Sequence, residues 1–164
     1  MRILKITNKG DQKILRRKTT NFDFKKFTAN EIRDLIKKMR VAMEEANGIG
    51  LAANQMGIGL AANQMGLDMK VFVAQVGGKF YAVFNPEIVK ISKETEAAVE
   101  GCLSVPETTG EVTRPYRITL KGFDKKGKRI TIRAWNHLAR VFQHEVDHLN
   151  GVLFIDRIDK KSSK

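Results

Sequence analysis

Residues 136–149 read NHLARVFQHEVDHL, and the segment from His144 to His148 has the pattern HExxH. In a helix, residues i and i+4 lie on one face, so the imidazoles of His144 and His148 can both reach one metal ion. Glu145 lies beside that face, where its carboxylate can accept a proton from a metal-bound water. The pattern therefore predicts a helix over 136–149 that carries a hydrolytic metal site.

Two histidines do not complete such a site, because a catalytic metal needs three protein ligands and one open position. No histidine follows His148, so the third ligand must be His137, a carboxylate or Cys102, the only cysteine of the chain. The residues alone leave these candidates open. We predict that His137 is a polar residue at the helix start rather than a ligand.

Upstream of this helix, the sequence predicts an earlier helix, the first of the chain, and a hairpin. Thr28 to Glu31 has the spacing of a capping box, an apolar stripe follows at helical intervals, and Asn47-Gly48 is a typical helix end. Val76-Gly77-Gly78 joins two apolar stretches, 70–75 and 79–84, as a hairpin. We expect Asn85-Pro86 to end its second strand.

Several shorter segments complete the expected fold. Further strands are predicted at 87–91, 117–123 and 129–135, and 152–155 is a short strand or a core segment. Residues 1–27 show no strong period. Short strands with two separated helices predict an α+β fold, with small antiparallel or mixed sheets around the central HExxH helix.

A tandem duplication interrupts the chain after the first helix. Gly48–Met56 reads GIGLAANQM, and Gly57–Met65 reads the same nine residues again. Nine residues are half a turn out of phase in a helix and an odd number in a strand, so the copies cannot act equivalently within one element. One copy should take the functional position, and the other should form a loop or extend the helix end.

Composition excludes several classes of protein. The 164 residues include 30 Lys and Arg against 18 Asp and Glu, a net charge of +12, and a single cysteine excludes an intrachain disulfide. No apolar run is long enough to span a membrane, and no secretory signal is visible. The charge fits either contact with nucleic acid or a ribosome, or a solvated basic surface. We expect residues 1–164 to form a single catalytic domain, with a frayed tail from about residue 159.

Three motifs occur in a specific order along the chain. They are GIGLAANQ, present in both copies of the duplication, EGCLS at Glu100–Ser104, and QHEVDH at Gln143–His148. Each motif alone is moderately specific, and the ordered trio is highly specific. Together they resemble the peptide deformylase family, and the resemblance runs from about residue 3 to Ile158.

The resemblance implies a role for each matching residue. Cys102, His144 and His148 match the metal ligands of the family, and Glu145 matches its catalytic acid and base. The backbone N–H of Leu103 and the Gln that ends the first motif match the donors to the developing oxyanion. Glu100 and Arg114 match an ion pair that supports the cysteine segment. The substrate-binding residues are then expected to be Gly57, Ile58, Gly59, Leu60 and Val141.

The duplication leaves two candidates for the oxyanion glutamine. Gln55 has the distance expected from the preceding helix, and Gln64 has the distance expected from the strand near Lys70 and from Cys102. We favour Gln64, with Gly59 and Leu60 lining the cleft and Gln55 as the alternative. The first copy would then be the extension or loop.

The resemblance also implies an activity, a cofactor and partners. The expected enzyme is a metal-dependent hydrolase that removes the formyl group from N-formylmethionine on nascent polypeptides and releases formate, with a metal-bound water as nucleophile. One divalent metal is expected, Fe²⁺ in the cell, with Zn²⁺ or Ni²⁺ as alternatives. We expect a cytoplasmic monomer, bacterial or in a host cell if virus-encoded, without membrane contact, whose basic surface favours association with the ribosome.

Two other functions compete with this interpretation. A zincin-like peptidase shares HExxH but needs a third ligand downstream, where Asp156 and Asp159 are available. A basic ribosome- or RNA-associated protein with an inactive or structural metal site would carry the same positive charge but would have no hydrolytic activity. Metal analysis and formate release distinguish the three functions.

Overall fold

The computed structural model describes residues 2–57 and 68–158. Three α-helices lie in this part of the chain, α1 (Lys9–Leu15), α2 (Ala29–Glu45) and α3 (Asn136–Leu149). The strands are β1 (Arg2–Ile3), β2 (Gly50–Ala52), β3 (Met56–Gly57), β4 (Val71–Val76), β5 (Lys79–Ile91), β6 (Thr95–Cys102), β7 (Val105–Pro115), β8 (Arg117–Phe123) and β9 (Arg129–Trp135). The predicted α+β class is confirmed. None of the described helices is long and apolar enough to cross a membrane.

The central sheet is antiparallel and has the strand order β2-β4-β5-β8-β9. Two-stranded sheets, β1-β3 and β6-β7, flank it. Helix α3 packs its buried Phe142 and Leu149 on one face of the central sheet, and α2 packs Met39 and Met43 on the opposite face of the β4 half. The first four residues of β4, Val71 to Ala74, are buried on both faces, which explains their continuous apolar run.

The predicted first helix and hairpin are both present. The Thr28 hydroxyl accepts a hydrogen bond from the Glu31 N–H while the Glu31 carboxylate accepts one from the Thr28 N–H, which closes the capping box at the start of α2. Just after the end of α2 at Glu45, Asn47 has a positive φ of 55°. Gly77 and Gly78 turn the β4–β5 hairpin with φ of 57° and 75°, values that favour glycine at both positions.

The expectation that Asn85-Pro86 ends a strand was wrong. β5 continues to Ile91, with a register shift between Phe84 and Glu87. The bulge tolerates the missing N–H of Pro86. Asn85 adopts φ 48°, and its side chain bonds the backbone N–H and C=O of Phe22 at 2.7 and 2.9 Å, which compensates for the distorted ladder.

Helix α1 and the β6–β7 hairpin were not predicted from the sequence. α1 is only seven residues long and begins at Asn8, whose side chain accepts two backbone hydrogen bonds. β6 and β7 pair as an antiparallel hairpin, but most of their residues are exposed, so they lack an apolar alternation. Of the two alternatives predicted for segment 152–155, the core segment is the one present, with Leu153 and Phe154 buried at a short 3₁₀ turn.

The first copy of the duplication does not form a loop or a helix extension, contrary to expectation. Gly50–Ala52 is strand β2 and pairs with Phe72–Ala74 of β4, and a 3₁₀ turn at Ala53–Gln55 leads into β3. The predicted residues of the second copy, Ile58 to Leu60 and Gln64, lie outside the described residues. The first copy therefore occupies the edge of the central sheet beside α3.

Candidate metal centre and active site

Three candidate metal ligands converge at the C-terminal half of α3. The Nε2 atoms of His144 and His148 are 3.2 Å apart, and Cys102 Sγ lies 3.1 Å from His148 Nε2. The three ligand atoms all lie within 4.8 Å of one another. The i, i+4 spacing places both rings on one side of the helix, as the sequence pattern predicts.

Cys102 reaches this point from a different part of the fold. It ends β6, and a register shift between Gly101 and Cys102 breaks the regular pairing with β7. The Ser104 N–H lies 3.4 Å from Cys102 Sγ and donates to it. This contact holds the sulfur next to α3, some 40 residues away in the sequence.

The donor set fits one divalent cation. Two imidazole nitrogens and one thiolate sulfur are the ligands that Zn²⁺ or Fe²⁺ accepts, and tetrahedral ligand atoms about 2.1–2.3 Å from a metal are roughly 3.4–3.7 Å apart. Burial lowers the pKa of His144, but its contacts with Cys102 and Glu100 outweigh burial and raise the pKa to about 10. Burial holds the pKa of His148 well below its usual value.

Glu100 orients His144 from the side opposite to the ligand atoms. The His144 Nδ1–H donates to Glu100 Oε2 at 3.0 Å, which leaves Nε2 free to bind a cation. Arg114 donates to both Glu100 oxygens at 2.6 and 2.9 Å, so the implied ion pair is present in a buried, bidentate form. Burial acts to raise the pKa of Glu100, but Arg114 and His144 outweigh it and hold that pKa far below its usual range.

Two further residues of this network were not predicted from the sequence. Arg140 donates to Glu100 Oε1 at 2.8 Å and to the backbone oxygens of Val112 and Glu96. Asp147 accepts from Arg114 at 2.8 Å. Arg140 lies one turn before His144 on α3. The sequence could suggest that it faces the same side of the helix, but it could not show that Arg140 contacts Glu100.

Glu145 is buried beside the three ligands. Its side chain has one oxygen, Oε2, that is buried and lacks a hydrogen-bond partner among the described residues. A Cβ added at Gly50 would clash with Glu145 Oε1, so any larger residue there would force the Glu145 carboxylate to move. Burial raises the pKa of Glu145 to about 7, more than the nearby positive charges lower it. A carboxyl group with this pKa can both accept and donate a proton near neutral pH.

This raised pKa predicts a pH-dependent cost to folding. Because the folded-state pKa of about 7 exceeds the unfolded value of about 4.5, ionised Glu145 opposes folding increasingly from pH 4.5 to 7. With metal removed by EDTA, Glu145→Gln should raise the free energy of unfolding at pH 8 by about 3 kcal/mol. The gain should vanish near pH 4.5. Urea unfolding at both pH values measures it, and equal stabilities at pH 8 would contradict it.

Gln55, from the first copy of the duplication, lies beside Cys102 in the candidate metal centre. Its Oε1 accepts the Ala52 N–H at 2.8 Å, and this bond directs Nε2 toward Ser104 Oγ at 3.0 Å and Cys102 Sγ at 3.6 Å. Gln55 is buried. Gln64, the favoured candidate from the sequence, lies outside the described residues.

A cavity of about 560 Å³ opens onto the centre. Of the predicted substrate-binding residues, Val141 lines it together with Leu103, whereas Gly57 pairs with Arg2 in the β1-β3 sheet and is not among the described lining residues. Gly48, Ile49 and Gly50 of the first copy line the cavity. His137 lines its mouth, is exposed, and is not part of the described ligand cluster.

Comparison with known proteins agrees with the fold and the motifs. The family model described as Polypeptide deformylase matches residues 3–59 and 56–164. A peptide deformylase of Natranaerobius thermophilus is 40% identical over 163 residues, covering 98% of this chain and 95% of that relative. The chain belongs to the polypeptide deformylase family.

Solved structures of peptide deformylases have the same fold. The crystal structure of the Thermotoga maritima peptide deformylase superposes with a TM-score of 0.82 at 38% identity, covering 96% of this chain and 97% of that one. Arabidopsis thaliana peptide deformylase 1B in complex with an inhibitor gives a TM-score of 0.83 at 34% identity, with 98% and 83% covered.

The family match also bears on the duplication. It divides into two segments, 3–59 and 56–164, which meet at the junction of the two copies. Removal of an N-terminal formyl group is the activity of peptide deformylases, and the chain is an enzyme of this kind.

Proposed function

We propose that Cys102, His144 and His148 hold one divalent cation with which the enzyme deformylates N-formylmethionine on nascent polypeptides. The observation that carries this proposal is the convergence of one sulfur and two imidazole nitrogens beside a buried, unpartnered carboxylate oxygen. The cation would acidify a water and polarise the formyl oxygen. Fe²⁺ is the proposed metal in the cell, with Zn²⁺ or Ni²⁺ able to replace it, because one thiolate and two imidazoles suit each of them.

Glu145 carries the proton in the proposed reaction. Its Oε2 faces no protein donor, so it is available to accept the proton of the attacking water. The same carboxyl group then delivers this proton to the departing amine as the formamide C–N bond breaks. Formate and the free N-terminal amine of methionine are the products. Gly50 leaves the space in which Glu145 makes both transfers.

Gln55, rather than Gln64, is the proposed oxyanion donor. Its Nε2 group is held beside Cys102 Sγ by the bond from the Ala52 N–H to Oε1, which would place an N–H donor next to a formyl oxygen bound at the centre. The Leu103 N–H is the proposed second donor, since Leu103 lines the same cavity. Ile49, Leu103 and Val141 provide the apolar lining suited to a methionine side chain.

The other two functions receive less support. A zincin-like peptidase needs Asp156 or Asp159 as third ligand, but Asp156 pairs with Arg16 and accepts the Leu153 N–H, and Asp159 lies outside the described residues. An inactive, structural metal site would not need a buried carboxyl group with a raised pKa beside an open cavity.

We extend the proposal to the setting of the enzyme. Residues 1–164 would act as one catalytic domain and as a monomer in the cytoplasm, where formylated chains emerge from ribosomes. The net charge of +12 favours association with the ribosome through phosphate contacts.

Formate release tests the proposal directly. The chain, purified anaerobically, should release one formate per formyl-Met-Ala-Ser and leave the Met-Ala and Ala-Ser bonds intact. Mass spectrometry of the peptide and an enzymatic formate assay measure the two products. Cleavage of an internal peptide bond would support the peptidase, and a metal-loaded chain without either activity would support the structural site.

A further inference from the structure

The β8–β9 hairpin holds half of the net charge of the chain. Residues 117–135 contain seven Lys and Arg and a single Asp, a net charge of +6 within a total of +12. The hairpin lies at the edge of the central sheet, where α3 covers one face and, on the opposite face, Phe123 at one end packs beside Phe24. Its inward residues Ile118, Leu120 and Ala134 belong to the core beside α3.

The register collects the cations on the opposite face. Arg117 is paired with Trp135, Thr119 with Arg133, and Lys121 with Thr131, and paired residues of antiparallel strands lie on the same side. Lys90 joins this side because β5 pairs it with Thr119. We define the cationic face by the six side chains Lys90, Arg117, Lys121, Arg129, Arg133 and Trp135, all of which are exposed.

Some of these charges have an acidic neighbour, since Glu87 lies opposite Lys121 in the register of β5 and β8. Arg117 pairs with Glu94 at 2.9 Å in an exposed salt bridge. Within the described chain, no salt bridge involves Lys90, Lys121, Arg129 or Arg133. Such a cluster is repulsive by itself, so an anionic partner would relieve the repulsion.

Two further features indicate the shape of the partner. A cavity of about 260 Å³ lies among β5, β8 and β9, and its lining includes Lys90, Arg117 and Arg133 with the hydroxyl groups of Ser92 and Thr119. Trp135 is 60% exposed and is the only tryptophan of the chain. Cations four residues apart on one strand are about 13 Å apart, which suits an extended polyanion better than a single small anion.

We propose that the cationic face binds single-stranded RNA. The Lys and Arg side chains would contact successive phosphates, and an unstacked base would lie on the exposed indole of Trp135. An acidic peptide would satisfy the charges but would leave the indole without a flat aromatic partner. None of the described residues that line the active-site cavity lines this cavity, so the inference is independent of the deformylation chemistry.

Titration of the full chain with a fluorescein-labelled 12-nucleotide oligouridine tests the proposal. Binding is followed by anisotropy and by quenching of Trp135, which reports directly on this face. Arg129→Gln/Arg133→Gln should weaken binding about tenfold at 0.15 M salt, and should reduce the slope of log affinity against log salt by about 1.4. Trp135→Ala should weaken it about fivefold, and Trp135→Phe should retain most of the affinity.

The matched control is Lys37→Gln/Lys38→Gln, which removes the same charge at exposed positions of α2. It should change the affinity less than about twofold. Equal weakening by both double variants, absence of Trp135 quenching at saturation, or equal competition by polyglutamate or by anionic vesicles would overturn the proposal. Every variant should release formate from a short formyl peptide at the parent rate, which shows that it is folded.

Discussion

Glu145→Gln is expected to lower kcat for formate release about 10³-fold while the protein still binds one cation. The amide cannot accept the proton of the attacking water or return it to the leaving amine, and transfers of this kind contribute 10²–10⁴-fold. Glu145 is not one of the three converging ligand groups, so its replacement should leave metal content unchanged. Stopped assays of formate together with metal analysis of the same sample measure both quantities.

Glu107→Gln is the matched control, because Glu107 also lines the cavity but is exposed. It should retain kcat close to that of the parent chain. A Glu145→Gln variant with full metal content and unchanged turnover would contradict the acid and base role. A loss of metal in this variant would mean that Glu145 is needed for binding the cation rather than for proton transfer.

Gln55→Ala is expected to lower kcat about 10²-fold or more, because it removes a fixed donor to the oxyanion. The effect should appear in kcat more than in KM, since the charge on the formyl oxygen develops only in the transition state. Gln64→Ala is the matched control, as it removes the same side chain from the same nine-residue motif in the second copy. The control should retain nearly full turnover with formyl-Met-Ala-Ser.

A deletion tests whether one copy of the motif is enough for activity. Because the copies are identical, removal of residues 48–56 or of residues 57–65 produces the same sequence. This shortened chain should keep the formate release of the parent, since a longer connection between β3 and β4 costs little in closure entropy. Loss of activity in Gln64→Ala with full activity in Gln55→Ala would reverse the assignment.

The sequence predicted the elements whose local pattern is strong. α3 combines an apolar stripe with the HExxH spacing, and its predicted bounds, 136–149, agree with the structure. The β4–β5 hairpin followed from two apolar strands around a Gly-Gly turn, and the start of α2 from a capping box whose two hydrogen bonds both form. In each case the signal lies within a few residues of the chain and does not depend on tertiary contacts.

The sequence did not reveal the elements that depend on long-range contacts. β6 and β7 are mostly exposed, so their pairing leaves no alternation to read. Arg140 and Asp147 complete a buried network around Glu100 and Arg114 that only the packing of α3 against β6 and β7 brings together. Polar residues of this kind show no partner in sequence because the partners come from distant elements.

The choice between the two glutamines was likewise beyond the sequence. Distances to the preceding helix favour Gln55 and distances to the following strand favour Gln64, and identical copies contain no other information. The structure adds the pairing of Gly50–Ala52 with Phe72–Ala74, which fixes the first copy at the sheet edge and brings Gln55 to Cys102. Pairing between strands 20 to 24 positions apart is a tertiary property that local spacing does not encode.

The most direct test of the central claim is X-ray absorption on the enzyme purified without metal and reconstituted with Zn²⁺. We predict one cation per chain, with one sulfur at about 2.3 Å and two imidazole nitrogens at about 2.0–2.1 Å, and loss of the sulfur signal in Cys102→Ala. A fully loaded chain whose cation has only nitrogen and oxygen ligands would contradict the proposed site.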